Sequence, residues 1–132
     1  LRDFNRFISQ LVDNHVREHM ADMRVVTLVN SGIRDLELVN QLLSTTSNVV
    51  FLSLADNEIT HVGSLGRMLP PHLKILDLSG NPIMDLDNLV VPASLELLIL
   101  NSSKIPEEEL TGFLVRFRRR YPRVNVVVTD VA

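Results

Sequence analysis

One phrase recurs four times along the chain, and it constrains the fold more than any other feature of the sequence. It reads apolar, two variable positions, apolar, one variable, apolar, two variable, Asn or Ser, one variable, apolar. The clearest copy is Leu73, Leu76, Leu78, Asn81 and Ile83; the copy before it, Val49, Leu52, Leu54, Asn57 and Ile59, has the same internal spacing. A third follows at Leu95, Leu98, Leu100, Ser103 and Ile105, and a weaker one stands first, at Met23, Val26, Leu28, Ser31 and Ile33. The starts at positions 23, 49, 73 and 95 lie 26, 24 and 22 residues apart. Each phrase supplies a short strand whose apolar positions point inward, and Asn57 or Asn81 can satisfy backbone groups where the chain turns away. Ser31 and Ser103 can do this less completely. No single unit buries its apolar face, so the units must stack.

The segments between phrases read as the return path of such a stack. Leu36, Val39, Leu42 and Leu43 recur at helical spacing after a cap at Asp35, which predicts a true helix in the first unit. Val62, Leu65 and Leu69, then Leu86, Leu89 and Val90, are followed closely by Pro70, Pro71 and Pro92, which leaves room for short helical turns only. Both ends of an open stack need covering. Phe4, Phe7, Ile8, Leu11 and Val16 form one helical face, so residues 1–22 are expected to be an N-terminal capping helix. Residues 23–105 hold the four repeats, and residues 106–132 a C-terminal cap. There Pro106 opens a helix, Glu107 to Glu109 occupy its first turn, Leu110, Phe113, Leu114 and Phe117 form its apolar stripe, and Pro122 ends it. Val124 to Val128 then reads as a fifth strand, with Val124 and Val127 expected at the first two apolar positions of the phrase.

The bulk numbers fit one domain: 132 residues, 45% hydrophobic and 22% charged. The apolar runs fall short of the roughly 18 consecutive residues that a membrane-spanning helix requires. The chain opens on Leu1 with no charged-then-apolar leader, and reads as a piece of a longer protein. Cysteine is absent, which excludes a disulfide framework and thiolate zinc sites and points to a reducing, intracellular location, cytoplasmic or nuclear. A net charge of -3 does not impose nucleic acid or an anionic membrane as partner of the whole domain.

Taken together, these residues resemble the short, intracellular class of leucine-rich repeats, which includes the nuclear phosphatase-one regulator, the spliceosomal A-prime protein, axonemal dynein light chain and mRNA export receptors. The repeat lengths lie inside the roughly 20 to 29 residues of such repeats. The most specific stretches are Leu73-Lys74-Ile75-Leu76-Asp77-Leu78-Ser79-Gly80-Asn81 and the closing helix, Pro122 and strand. The span Phe117 to Val127, with its basic helix end, aromatic-Pro pair and apolar strand, looks nearest to the export receptors. The resemblance implies an α/β fold: a leucine-rich-repeat solenoid with a short-stranded parallel sheet on its concave side, an N-terminal capping helix and a C-terminal helix-strand cap. It also implies recognition of a protein, in some members RNA or an RNA-protein complex, and no chemistry.

Catalytic motifs are sparse. His15-Val16-Arg17-Glu18-His19 matches the H-x-x-E-H pattern of inverted zinc peptidases, but it lies at the end of a capping helix with no third ligand in sight, and a solvated helix end is the expected reading. His61 and His72 have no acidic or hydroxyl partner at telling spacing, and there is no Gly-rich phosphate loop or nucleophile elbow. Asn101-Ser102-Ser103 is formally a glycosylation sequon with no meaning in an intracellular chain. No metal, cofactor or small-molecule substrate is implied, and the chain is read as a non-enzyme.

Two surfaces remain. Arg116, Arg118, Arg119, Arg120 and Arg123 gather five of the 13 Lys and Arg residues at the end of the last helix. Cations there complement the helix dipole, and they also suit phosphate or carboxylate. The variable positions within the strands face away from the stack, because side chains alternate across a strand. Val25, Phe51, Ile75 and Leu97, with Val126 expected in the same phase, make an apolar stripe of roughly 19 Å if strands lie about 4.8 Å apart. Next to it run Thr27, Ser53, Asp77, Ile99 and Val128. Apolar residues also favour strands for their own sake, yet a contiguous row of them marks an interface. The expected function is a monomeric scaffold that binds a helix or extended peptide of a protein partner on the concave face through Val25, Phe51, Ile75, Asp77, Leu97, Ile99 and Val126. The alternative is an RNA-processing or export module that uses the basic helix to contact RNA or an acidic partner.

Overall fold

The computed structural model describes residues 22–129. Five strands, β1 (Val25–Thr27), β2 (Phe51–Ser53), β3 (Ile75–Asp77), β4 (Leu97–Asn101) and β5 (Asn125–Thr129), form one parallel sheet whose spatial order is the chain order. Each of β2 to β5 is reached by a return segment along the same side of the sheet. The first carries helix α1 (Leu36–Leu43), the second and third carry only 3₁₀ turns (Leu65–Arg67 and Leu86–Asn88), and the last carries helix α2 (Glu107–Arg120). These are the lengths that the prolines and the helical spacing predict. Asp35 caps α1, its Oδ1 accepting from the Glu37 N–H at 2.9 Å.

The repeated phrase sets the register. Val26, Leu52, Leu76 and Leu98 lie side by side across the first four strands, as do Val25, Phe51, Ile75 and Leu97. Leu52, Leu54, Leu73, Leu76, Leu78, Leu98 and Leu100 are fully buried, and α1 adds Leu36, Val39, Leu42 and Leu43 to the same core. Each such side chain contributes roughly 1.5–3 kcal/mol by leaving water. The first copy is looser, with Met23 exposed.

Asparagine links the repeats as expected. Asn57 Oδ1 accepts from the Ser31 and Ile33 N–H groups at 2.9 and 3.1 Å, and its Nδ2 donates to the Leu28 and Leu54 carbonyls, both at 2.8 Å. Asn81 repeats this one unit on: its Oδ1 accepts from the Ile59 N–H at 3.1 Å and its Nδ2 donates to the Leu54 carbonyl at 2.9 Å. Ser103 reaches only Asn101, and it is Asn101 Oδ1 that accepts from the Gly80 N–H of the preceding repeat, at 2.9 Å. Just before the Asn or Ser of the phrase the chain turns through positive φ, at Asn30 before Ser31, Asp56 before Asn57 and Gly80 before Asn81. These residue types tolerate the left-handed region, and a Cβ at Gly80 would collide with the Asp56 side chain. Among the described residues no buried side-chain nitrogen or oxygen lacks a hydrogen-bond partner.

At the end of the sheet, α2 places Leu110, Phe113 and Phe117 in the core and extends an aromatic row, with Phe113 to Phe117 centroids 5.0 Å apart and Phe117 to Tyr121 4.8 Å apart. Glu107 to Glu109 occupy its first turn and Arg118 to Arg120 its last, each matching the sign of the helix dipole. Strand β5 departs from expectation by one residue. Asn125 pairs with Leu97, Val126 with Leu98, and Val127 with Ile99, so Val126 takes an inward position and is partly buried against the core. The N-terminal helix expected over residues 1–22, with His15 and His19, falls almost entirely outside the described residues.

Candidate functional site

The face of the sheet opposite the helices is built by alternation. Val25, Phe51, Ile75 and Leu97 share one column through the ladder, and its fifth member is Asn125, not Val126. The neighbouring column is Thr27, Ser53, Asp77, Ile99 and Val127, not Val128. The correction follows from the Val126-Val127-Val128 run, whose sequence shows no alternation and therefore admits either phase. Val25 is 59% exposed and Val127 44%, while Phe51, Ile75, Leu97 and Ile99 are half-buried by their cross-strand neighbours. Six apolar side chains thus cover the face, and β5 contributes Val127 alone where the sequence pattern predicts Val126 and Val128. Ser53 is withdrawn from it, 3% exposed, with the Ala55 N–H donating to its hydroxyl at 3.4 Å.

Polar groups rim this surface. Asp77 Oδ1 accepts from the Ser79 N–H at 3.0 Å and from its hydroxyl at 2.7 Å, which fixes the one carboxylate within the two columns. Lys74 and Glu96 lie 3.8 Å apart just before β3 and β4. Farther along the repeats, Arg34 donates to Glu58 at 3.0 Å; this hydrogen bond holds the Glu58 carboxyl below its ordinary range and raises the guanidinium further.

The basic cluster divides. Arg116 makes a bidentate pair with Asp87, Nε to Oδ1 at 2.8 Å and Nη2 to Oδ2 at 2.9 Å, tying α2 to the third repeat. The Arg120 guanidinium lies 5.1 Å from the centroid of the Tyr121 ring. Arg118, Arg119 and Arg123 are exposed and have no acidic partner among the described residues.

Elsewhere, His61 is bonded to the adjacent Thr60 hydroxyl at 2.9 Å, and His72 lies exposed in a separate loop. Among the described residues no group of three or more His, Cys, Asp or Glu is placed to hold a metal ion. An open hollow of about 510 Å³ between α1 and the first 3₁₀ turn mixes Arg34, His61 and Arg67 with Asp35 and Glu37. Asn101 of the formal sequon is engaged in the repeat turn described above. No helix among the described residues is long and apolar enough to cross a membrane.

No protein-family model matches the chain. It is 34% identical over 97 residues to the human leucine-rich repeats and immunoglobulin-like domains protein 3, covering 69% of this chain and 8% of that protein. It is also 34% identical over 84 residues to leucine-rich repeat-containing protein 51 of Macaca mulatta, covering 63% of this chain and 40% of the relative. The chain therefore spans less than half the length of these relatives. Among solved structures, the tropomodulin C-terminal domain of Caenorhabditis elegans superposes with a TM-score of 0.59 at 15% identity over 95% of this chain and 83% of its own. The Mex67:Mtr2 subunits of Chaetomium do so with 0.59 at 21% identity over 91% and 88%. A phrase repeated at fixed internal spacing, one parallel strand per phrase, and the likeness to these repeat proteins lead to one conclusion: the chain is a leucine-rich-repeat domain.

Proposed function

We propose that the domain is a protein-interaction module whose open sheet face, the concave side of a solenoid capped at both ends, grips a helix or an extended segment of a partner. The observation that carries this is the contiguous apolar surface of Val25, Phe51, Ile75, Leu97, Ile99 and Val127. Scattered apolar residues are ordinary on a protein surface, but a continuous patch of this kind marks an interface. Its span of roughly 19 Å across five strands matches a short helix or peptide, a mode in which anchors at fixed spacing enter a groove. The solved relative described as Mex67:Mtr2 subunits is an assembly of proteins, which favours the same class of partner. The absence of cysteine favours a reducing compartment as its place of work.

The test replaces Phe51 or Ile75 by Glu and measures capture of the natural partner. Both side chains are half-exposed, so a carboxylate stays hydrated in the free domain and the fold is retained; in the complex it is desolvated without a counter-ion, costing roughly several kcal/mol of affinity. The expected outcome is loss of binding with an unchanged far-UV spectrum. A second reading rests on Arg118, Arg119 and Arg123, which are free to meet RNA or an acidic partner. If both Glu variants fold and bind normally while the Arg118→Glu, Arg119→Glu double variant does not, the basic cluster is the site. Phosphate contacts would also weaken steeply with salt, unlike an apolar groove.

A further inference from the structure

Strand β5 is the outermost strand of the sheet, and among the described residues nothing pairs with its far edge. The Asn125 N–H donates to the Glu96 carbonyl at 2.9 Å, with Asn125 in register with Leu97. Backbone groups of successive strand residues point to opposite edges, so Asn125, Val127 and Thr129 face β4 while Val126 and Val128 turn their N–H and C=O groups outward. Natural sheets blunt a free edge with lysine, proline, a bulge or a covering loop. The Asn125-Val126-Val127-Val128-Thr129 strand has no charge and no proline, and is joint longest in the sheet. An open hollow of about 610 Å³ adjoins this strand, lined by Leu97, Arg118, Pro122, Asn125 and Val127 among others. Arg118 brings to it a guanidinium with no acidic partner among the described residues, whereas Arg116 and Arg120 are engaged by Asp87 and Tyr121.

We infer that this edge docks an extended acidic segment of a protein partner as a sixth strand. The main chain of the segment bonds to the outward groups of Val126 and Val128, a carboxylate meets Arg118, and an apolar side chain lies against Val127. Main-chain pairing supplies affinity in this mode and the flanking side chains supply choice of partner. A second copy of the chain is the weaker occupant, because its own Asn125–Thr129 strand brings no carboxylate to Arg118. The site borders the open face at Leu97 and Val127 but does not include Phe51 and Ile75, so substitutions at those two residues separate the two readings.

The experiment follows amide hydrogen exchange in the whole chain as a capped Glu-Val-Glu-Val-Glu peptide is added. Expected are slowed exchange at the Val126 and Val128 N–H groups and affinity at least about tenfold lower in Arg118→Glu, the loss of one charge-assisted contact. Val128→Pro should abolish the protection at Val126, since it removes an outward donor and none of the bonds to β4. Phe51→Glu should leave the peptide's affinity unchanged. If Val128→Pro fails to fold by circular dichroism, Arg118→Glu and a Lys-Val-Lys-Val-Lys peptide carry the test. The inference is overturned if both amides are already protected in the free protein, or if the lysine peptide binds equally well. It is overturned too if protection follows protein concentration alone, as a second copy would produce, or if a uridine oligonucleotide, and not the acidic peptide, binds through Arg118.

Discussion

Asn81 shows how much one side chain can hold in a repeat protein. It is buried, its amide oxygen takes the Ile59 N–H, and its amide nitrogen gives to the carbonyls of Leu54, Leu78 and Ser79, so it joins two turns beside the single backbone bond from the Asp56 N–H to the Ser79 carbonyl. Asn81→Ala leaves those groups in the core without partners, and a loss of about 2–3 kcal/mol in urea unfolding is expected. Ser103 occupies the same place in the next phrase but is exposed and bonds only to Asn101, so Ser103→Ala should change stability by less than about 0.5 kcal/mol. Equal costs for the two substitutions would mean that the asparagine bonds carry no special weight. The contrast was legible in the chain itself, where this position holds Asn in the two middle phrases and Ser in the outer two. That Asn101 takes over part of the bridging was not, because its partner Gly80 is 21 residues away.

Strands and helices came through the sequence unevenly, for a physical reason in each case. Strands β1 to β4 are each followed at fixed spacing by the Asn or Ser and the closing Ile of the phrase, so their phase is unambiguous; Leu76 and Leu98, side by side and fully buried, follow directly from it. Leu76→Ala or Leu98→Ala should each cost roughly 2–5 kcal/mol, because the layers above and below cannot close the void. A cost under about 0.5 kcal/mol in chemical denaturation would mean that these positions are not packed. β5 is different. Three consecutive valines satisfy an inward and an outward phase equally, and the choice was made by the α2 packing and the ladder to β4, neither of which is written locally. The face was therefore readable in its first four members, while Asn125 and Val127 were missed. That Arg116 is engaged within the fold was hidden for a similar reason: its partner Asp87 lies 29 residues upstream.

At the level of the molecule, each strand touches only the strand before it and the strand after it, in chain order. Pulled apart from its two ends, such a body feels the load across the ladder, with no contact between distant repeats to share it. The weakest interface yields first, and the rest hold until their turn. Successive repeats start 26, 24 and 22 residues apart, and an extended chain spans about 3.4 Å per residue. Force spectroscopy should therefore record small steps of roughly 75–90 Å each, in place of a single rupture of the whole domain. A sheet stacked in sequence order is, mechanically, a spring that pays out one coil at a time.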